Sequence, residues 1–485
     1  MKHTRGLPIA RLFLFFAAQD LFFAGSAAAL YWVLRRWDVR IGPAALGGAV
    51  YGFSPALVAT ALGHYHLEFA VLPPLMVDAL MRIVTGRGHA IKNGVWLGLL
   101  AGAQLFIGEE LLVDTGLAAA VILIVLAVMV PGAVARQAAR SVAGLASAAG
   151  VALVIGGYGL WVQFHGPLAE HGSPWKPERF RNRAASLVTP DGSMLLHTSS
   201  GAAAVARHGS YIAEYVAYLG WPLLIVLILA AFRCWHDLRV RVAAVACAVV
   251  EILSLGGIQV VRGVTVPAVL LPWHWLARLP VLSDVLPDRL SILADGLAAV
   301  VLAVSLDLAL SAGQQPRWGR QGLPLAIAAI AVVPLIPLPL DTTQAAAVPA
   351  GYQAAFTRLA LPRDARVLIV PIPSAPVSAP LRWYADTGYP GSMNAGYWIG
   401  PNRQDEAKSY GGRRPPKIAQ AIDALWAAHS RAKSPTRAQM RGYIARWRPA
   451  AVVAVTRRGS RLGRLLATVF GPPSFTVGRV LVWRR

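Results

Sequence analysis

Long apolar runs recur through the first 340 residues, and they constrain what this chain can fold into more than any other feature. The hydrocarbon core of a bilayer is crossed by about 20 apolar residues in a helix, and windows of that length predict about ten membrane segments. They are Leu12–Leu34, Pro43–Leu62, Leu67–Met81, Gly94–Ile107, Leu111–Val130, Val142–Val162, Ile212–Phe232, Val242–Leu255, Leu290–Leu310 and Leu323–Leu340. With 56% hydrophobic and 14% charged residues, the sequence predicts an α-helical polytopic membrane bundle.

Basic residues alternate between the connections of these segments. Arginines cluster in one set, as at Arg35, Arg36 and Arg40, whereas the connections Gly63–His66 and Gly108–Glu110 carry no Lys or Arg. Because cytoplasmic connections are enriched in Lys and Arg, we place the first set in the cytoplasm and the second set outside. The net charge of +23 then reflects orientation in a plasma membrane, and no nucleic-acid partner is predicted.

This orientation has a consequence for the start of the chain. Residues Met1–Arg11 are basic but would begin outside, although a basic start is normally held inside. We expect either that the chain lacks an upstream helix with its loop, or that one segment is re-entrant. Pro43–Leu62 is the best re-entrant candidate, because Phe53-Ser54-Pro55 interrupts it. Pro73-Pro74 is likewise expected to break the next segment.

The composition changes after Leu340, where the long apolar runs stop. We therefore divide the chain into a transmembrane helical domain, residues 1–340, and a small α/β extracytoplasmic domain, residues 341–485. Buried strands and intervening helices are predicted from short apolar runs and helical periodicity. They are the strands Arg366–Ile372, Ala450–Val455 and Val477–Trp483, the helices Ile418–His429 and Thr436–Trp447, and an ordered loop over Tyr389–Asn402.

Two adjacent carboxylates, Glu109 and Glu110, lie between apolar runs on both sides. Ionised acids are costly inside a bilayer, so the pair marks either a solvated turn or a site in a polar cavity. In a cavity the acids could hold a divalent cation or act as base toward an acceptor hydroxyl. Because the turn is very short, we favour the functional interpretation and predict Glu109 and Glu110 as catalytic residues. No cofactor beyond a divalent cation is suggested.

Four residues on the predicted outer side are candidates for substrate binding: His64, His66, Asp288 and Arg289. Histidines two residues apart share a face only on a strand, and imidazoles suit a membrane interface in any case. Arg289 opens an apolar run from outside, where its guanidinium could clamp a lipid phosphate. The alternative is a snorkelling arginine that pairs with Asp288. Both interpretations stay open at the level of sequence.

Other polar residues carry weaker signals. Glu251 and Asp295 lie inside predicted segments without a partner that sequence can name, and such residues would suit the ion pathway of a transporter. Further candidates by position or composition alone are Glu68, Asp114, His165, Glu170, His171, Asp386, Tyr397 and Trp398.

Several short motifs together give the chain a resemblance to a known family. They are Tyr51-Gly-Phe-Ser-Pro, Gly63-His-Tyr-His-Leu, Gln104-Leu-Phe-Ile-Gly-Glu-Glu-Leu, Tyr218-Leu-Gly-Trp-Pro, Leu286-Pro-Asp-Arg-Leu, Val367-Leu-Ile-Val-Pro-Ile-Pro and Gly396-Tyr-Trp-Ile-Gly-Pro. With these motifs the chain resembles bacterial polytopic membrane glycosyltransferases of the GT-C class. The resemblance implies transfer of a sugar from a polyprenyl-phosphate donor, within the membrane lipid, to an acceptor outside the plasma membrane.

Members of that class usually carry an essential acid in the first outer loop. We expect this sequence to depart from the pattern by beginning at or after that loop, and Glu109 and Glu110 would then be supporting residues. Two other classes of function are kept as alternatives. One is a transporter or lipid flippase, which predicts inverted repeats and paired broken helices. The other is a non-catalytic membrane assembly subunit.

Overall fold

The computed structural model resolves two compact units, residues 1–167 with 176–340 and residues 168–175 with 341–485. The structure describes residues 7–167, 169, 177–206, 212–214, 216–261, 264–312, 318–339, 347–362, 364–374, 377–396, 401–402, 405–409, 416–427 and 433–485. Each unit has its own apolar core, one among packed helices and the other on both faces of a sheet.

The first unit is built from α-helices and one antiparallel hairpin. Its helices are α1 (Leu7–Arg36), α2 (Ile41–Gly52), α3 (Pro55–Thr60), α4 (Tyr65–Glu68), α5 (Leu72–Val84), α6 (Ala90–Ile107), α7 (Glu109–Met129), α8 (Pro131–Arg136), α9 (Ala138–His165), α10 (Ser199–Ala206), α11 (Trp221–Arg233), α12 (Leu238–Ser254), α13 (Trp273–Leu276), α14 (Ser291–Ala312) and α15 (Trp318–Val332). The hairpin consists of β1 (Ile258–Val261) and β2 (Val264–Pro267).

Within the described ranges, five helical stretches are long and apolar enough to cross a membrane. They are Ile41–Thr60, Ala90–Ile107, Glu109–Met129, Ala138–His165 and Pro287–Ser311. The apolar helices Trp221–Arg233 and Gly322–Leu335 are shorter. The helical membrane character of this unit is thereby confirmed, while the larger count of about ten segments stays a prediction.

Helices α6 and α9 pack with their backbones in close contact. Gly94, Gly98 and Gly102 recur at four-residue spacing along α6 and therefore share one face of that helix. A Cβ atom added at Gly94 would lie 2.1 Å from the carbonyl oxygen of Gly144, and one at Gly98 would lie 2.5 Å from that of Ala148. Small residues at such spacing let membrane helices approach closely, so this pair is held by backbone packing.

The structure shows where three of the predicted segments are interrupted or begin. The break at Phe53-Ser54-Pro55 is confirmed, since α2 ends at Gly52 and the Ser54 side chain caps α3. The segment predicted over Leu67–Met81 is also interrupted, since α4 ends at Glu68 and α5 begins at Leu72, and Pro73 and Pro74 stand in the first turn of α5, where the missing N–H groups cost nothing. The segment predicted from Ile212 begins only at Trp221, because Ile212–Glu214 form a separate 3-10 turn.

The second unit contains a five-stranded mixed sheet with the order β4-β3-β7-β9-β8. Strands β4 and β7 run parallel to β3, whereas β9 runs antiparallel to both β7 and β8. A short antiparallel pair, β5 with β6, stands apart from it. The elements are α16 (Tyr352–Leu359), β3 (Arg366–Val370), α17 (Ala379–Ala385), β4 (Ser392–Met393), β5 (Pro401–Asn402), β6 (Asp405–Ser409), α18 (Lys417–Trp426), α19 (Arg437–Trp447), β7 (Ala451–Val455), α20 (Arg461–Phe470), β8 (Phe475–Val477) and β9 (Val480–Arg484).

Alternate residues of the central strands face opposite sides of this sheet, as the two-residue period of a strand requires. Leu368 and Val370 join the core beneath α18, α19 and α20. Val367 and Ile369 join the core beneath α16 and α17. The buried strands predicted around residues 366–372 and 450–455 are confirmed, as is the helix after Thr436, which is fixed by a capping box between Thr436 and Gln439.

Candidate functional site

Arg289 is the centre of a group of charged side chains in the helical unit. It lies in the 3-10 turn that precedes α14, and only 7% of its side chain is exposed. Its Nη1 donates to Oε2 of Glu110, at the start of α7. Its Nη2 donates to Oε1 of Glu214 at 3.1 Å, and its Nε donates to Oε2 of the same residue at 3.4 Å. One guanidinium thus joins two carboxylates from different parts of the chain.

Two histidines complete the group. Nε2 of His64 lies 2.8 Å from Oε1 of Glu214, the oxygen that also accepts from Arg289. Nε2 of His66 lies 3.7 Å from Oε2 of Glu110. We call His64, His66, Glu110, Glu214 and Arg289 the Arg289 cluster. Four of these five residues were candidates from sequence, and the structure brings those four together.

Glu109 and Glu110 separate on entering α7. Adjacent residues on a helix point about 100° apart, so the two carboxylates cannot face one site. Glu110 faces Arg289, with 21% of its side chain exposed, whereas Glu109 is exposed and accepts a hydrogen bond of 2.9 Å from Nε2 of Gln163 in α9. The structure therefore does not place Glu109 in the Arg289 cluster. Both acids begin a helix, where negative charge is favourable.

Asp288 borders the Arg289 cluster but does not pair with its neighbour. Among the described residues, the acids that form ion pairs with Arg289 are Glu110 and Glu214. The pair with Asp288, which the sequence left open as an alternative, is not among them. Asp288 is buried, and its main-chain carbonyl accepts a hydrogen bond of 3.0 Å from Nδ2 of Asn182.

A series of hydrogen bonds leads from the main chain of Asp288 into the helical bundle. Nδ2 of Asn182 also donates to Oγ of Ser291 at 2.9 Å, and that hydroxyl donates to Oε2 of Glu251 at 3.2 Å. Glu251, which had no partner that sequence could name, is therefore hydrogen-bonded. Asp114 behaves differently, since it is fully buried and neither carboxyl oxygen has a hydrogen-bond partner in the part of the chain that the structure describes.

In the Arg289 cluster, one guanidinium faces the two carboxylates Glu110 and Glu214. Asp114 lies close enough to interact with the charges of Glu110, Arg289 and Asp288. A guanidinium has five N–H donors, and three of those of Arg289 are used in the contacts described above. Its two other N–H groups have no contact recorded among the described residues.

Glu214 lies in a loop turn outside the membrane helices, and its ionised form is favoured. Burial by itself would raise its pKa. The hydrogen bond from His64 and the charge of Arg289 outweigh burial, so the pKa of Glu214 lies below its usual value. Glu214 therefore stays a carboxylate at neutral pH and holds Arg289 and His64 in place.

Other candidates lie elsewhere. Among the residues that the structure covers, no three His, Cys, Asp or Glu side chains are grouped so as to hold a metal ion. Asp386 is exposed after α17 in the second unit. Glu170, His171, Tyr397 and Trp398 lie outside the described residues.

Glu214 is the cluster residue that sequence reasoning missed. It falls inside the apolar window Ile212–Phe232, and averaging over that window concealed an acid that lies before the helix. The sequence could have indicated Glu214, because an ionisable residue within a predicted membrane segment is by default a candidate for a functional position.

The chain was compared with protein families, curated proteins and solved structures. No protein-family model matches the chain, and no curated protein matches it. Among solved structures, the chain is similar to the arabinofuranosyltransferase AftD from mycobacteria, with a TM-score of 0.46 and 14% sequence identity. The match covers 96% of this chain and 34% of AftD, so the chain spans about a third of the length of that protein. At this similarity no residue role transfers from AftD.

Proposed function

We propose that this chain is an integral membrane glycosyltransferase of the GT-C type. In this proposal it transfers a sugar from a polyprenyl-phosphate donor to an acceptor outside the plasma membrane. One observation carries the proposal. The partly exposed carboxylate of Glu110 is held beside the buried guanidinium of Arg289, at one end of an apolar helical unit. Such a pair can remove a proton from an acceptor and stabilise a departing phosphate in the same place.

The proposed step is a displacement at the anomeric carbon of the sugar. The hydroxyl oxygen of the acceptor forms a bond to that carbon, and the bond from the carbon to the phosphate oxygen breaks. The polyprenyl phosphate leaves with the electron pair, and the proton of the hydroxyl passes to Glu110. No covalent intermediate with the protein is required, so positioning and charge stabilisation supply the catalysis.

Glu110 suits the role of base better than its neighbours do. Glu214 has only 3% of its side chain exposed, and both its oxygens accept hydrogen bonds. Glu109 is exposed but bonds to Gln163 on another helix. Glu110 keeps part of its side chain accessible while Arg289 fixes its orientation. We therefore assign Glu110 as the catalytic base and Glu214 as a positioning residue.

Arg289 and the two histidines are proposed to bind the donor phosphate. Arg289 keeps two N–H donors for phosphate oxygens, and guanidinium binds such oxygens with defined geometry. His64 and His66 lie beside the same two carboxylates, His64 at 2.8 Å from Glu214 and His66 at 3.7 Å from Glu110, so their imidazoles border the phosphate position proposed for Arg289.

The test is turnover by the full chain in proteoliposomes with radiolabelled polyprenyl-phosphate sugars. We expect Glu110→Gln to lower turnover at least 100-fold, which is a typical loss when a general base is removed. Glu109→Gln is the matched control, since it changes the adjacent carboxylate outside the Arg289 cluster, and it should retain turnover within about twofold.

Three results would reject the proposal. Equal turnover by Glu110→Gln and the unchanged protein would exclude Glu110 as the base. An equal loss in Glu109→Gln would show that the response is not specific to the Arg289 cluster. Movement of labelled lipid across the liposome membrane without a glycosylated product would favour a flippase instead.

A further inference from the structure

A cavity of about 610 Å³ lies among the helices of the first unit. It is lined largely by apolar side chains of six helices, among them Leu30 of α1, Val77 of α5, Ala118 and Ile122 of α7, and Val300 of α14. Cavities of about 300–1,000 Å³ are the size that binds small ligands. The volume and the apolar walls fit one hydrocarbon chain.

The cavity has charged side chains at one end. Arg36, Arg82, Arg87 and Arg239 line it there, together with three acids, Asp38, Asp78 and Asp237. Asp78 lies 3.1 Å from Arg82 and 3.7 Å from Arg36, and Asp237 lies 2.8 Å from Arg239. Four arginines against three aspartates leave one surplus positive charge.

Arg87 differs from the other three arginines in its surroundings. Its side chain is exposed, and no carboxylate lies within ion-pair distance of it among the described residues. An arginine in this position is available to an anion, whereas Arg36, Arg82 and Arg239 already face acids.

The cavity lies further along the same helices than the Arg289 cluster. On α7 its lining residues run from Ala118 to Leu126, about 12 to 24 Å of helix beyond Glu110, and on α14 the lining begins at Leu293, four residues after Arg289. The arginines at the cavity belong to the connections that the positive-inside rule assigns to the cytoplasm. The cavity therefore faces a different membrane surface from the Arg289 cluster under that assignment.

We infer that this cavity binds a membrane lipid with an anionic phosphate headgroup, the headgroup at Arg87 and one acyl chain between α7 and α14. A nucleotide is disfavoured, because its polar base and sugar would be buried against apolar walls without hydrogen-bond partners. Anionic lipids are abundant on the cytoplasmic surface and are attracted to arginines there. The inference does not depend on glycosyl transfer at the Arg289 cluster.

The experiment places the full chain in nanodiscs with lysophosphatidylglycerol that carries a photoactivatable diazirine at the end of its acyl chain. After illumination, mass spectrometry locates the labelled residues. We expect labelling at the cavity residues Ala118, Ile122 and Val300. Arg87→Glu should lower this labelling about fivefold at equal probe concentration, since it replaces an attraction by a repulsion. Ala118→Phe should remove most of it by filling the cavity.

Matched controls separate the cavity from the outer surface. Arg136→Glu reverses an exposed charge in α8, and Ala120→Phe enlarges an exposed residue of α7, so neither should change labelling of the cavity. The inference is overturned if labelling is confined to the exposed residues Ile124 and Val128. It is also overturned if lysophosphatidylcholine with the same diazirine, whose headgroup has no net charge, labels the cavity equally. Abolition of labelling by inorganic phosphate alone would overturn it too. If Ala118→Phe does not fold, Arg87→Glu and Arg136→Glu are compared instead. A loss of cavity labelling in Arg87→Glu alone supports the inference, and equal labelling in both variants overturns it.

Discussion

The two ends of the helical unit both contain ion pairs, but they are assembled differently. At the Arg289 cluster, Arg289 pairs with Glu110 and Glu214, which are 179 and 75 residues away in sequence. At the other end, Asp78 pairs with Arg82 four residues later, and Asp237 pairs with Arg239 two residues later. The first group consists of long-range pairs, whereas the second combines these local pairs with two long-range ones, Arg36 with Asp78 and Arg40 with Asp307.

The difference extends to burial and to the balance of charge. The guanidinium of Arg289 is almost fully buried, while the arginines beside Asp78 and Asp237 keep about a third of their side chains exposed. A buried ion is stabilised only by its partners, whereas an exposed ion is stabilised by water as well. The comparison teaches that charge at the Arg289 cluster is held in place by a few long-range contacts.

The largest expected effect on stability is that of Arg289→Met. The change leaves Glu214 and Glu110 without their cation in a buried setting, which costs about 3–5 kcal/mol when one partner of a buried pair is removed. Equilibrium unfolding in mixed micelles would measure the loss. A loss below about 1 kcal/mol would mean that both acids are solvated, and the contrast between the two ends would fail.

A smaller effect is expected for Glu214→Gln, and it should depend on pH. The variant loses hydrogen bonds to charged partners, which are worth about 1.5–3 kcal/mol at neutral pH. Because the pKa of Glu214 is lowered in the fold, its contribution is fully present above its unfolded value, near 4.5, and is lost as the pH falls through the lowered pKa.

Unfolding of Glu214→Gln and the unchanged protein should therefore be compared between pH 7 and pH 3. We expect the gap between them to narrow as the pH falls below about 4.5, since protonation removes the same charge that the substitution removes. A gap that stays constant over this range would show that the carboxylate of Glu214 is not stabilised by its partners.

The smallest effect is expected for Arg82→Met at the other end. Asp78 keeps Arg36 at 3.7 Å and the hydrogen bond of 3.0 Å from Nε1 of Trp37, so its charge is not left alone. The loss should stay within about 1 kcal/mol, as for a partly exposed pair. The same unfolding assay as for Arg289→Met applies, and equal losses at the two ends would remove the distinction drawn between them.

Local features of this protein were open to prediction from sequence because they depend on near neighbours. The apolar runs behind α7 and α14, the break at Ser54 and the capping box at Thr436 each lie within a few residues of their cause. The glycine spacing of Gly94 and Gly98 was equally visible in the sequence, and a search for small residues at four-residue intervals would have indicated the packing of α6 on α9.

The partners of the charged residues were not open to prediction in the same way. Glu109 and Glu110 are equivalent in sequence, and only the direction of each side chain on α7 separates the one that meets Arg289 from the one that meets Gln163. For Arg289, the sequence suggested the adjacent Asp288 as an ion-pair partner. Glu214 was overlooked because it lies at the edge of an apolar window.

The sequence by itself determined that this chain forms membrane helices followed by a small α/β unit, because hydrophobic periodicity and run length act locally. The tertiary structure alone decided which acids meet Arg289 and that an apolar cavity opens beside Arg87. The physical reason is that ion pairs between distant segments, and the space left between packed helices, depend on how helices are placed against one another, and no short stretch of sequence records that placement.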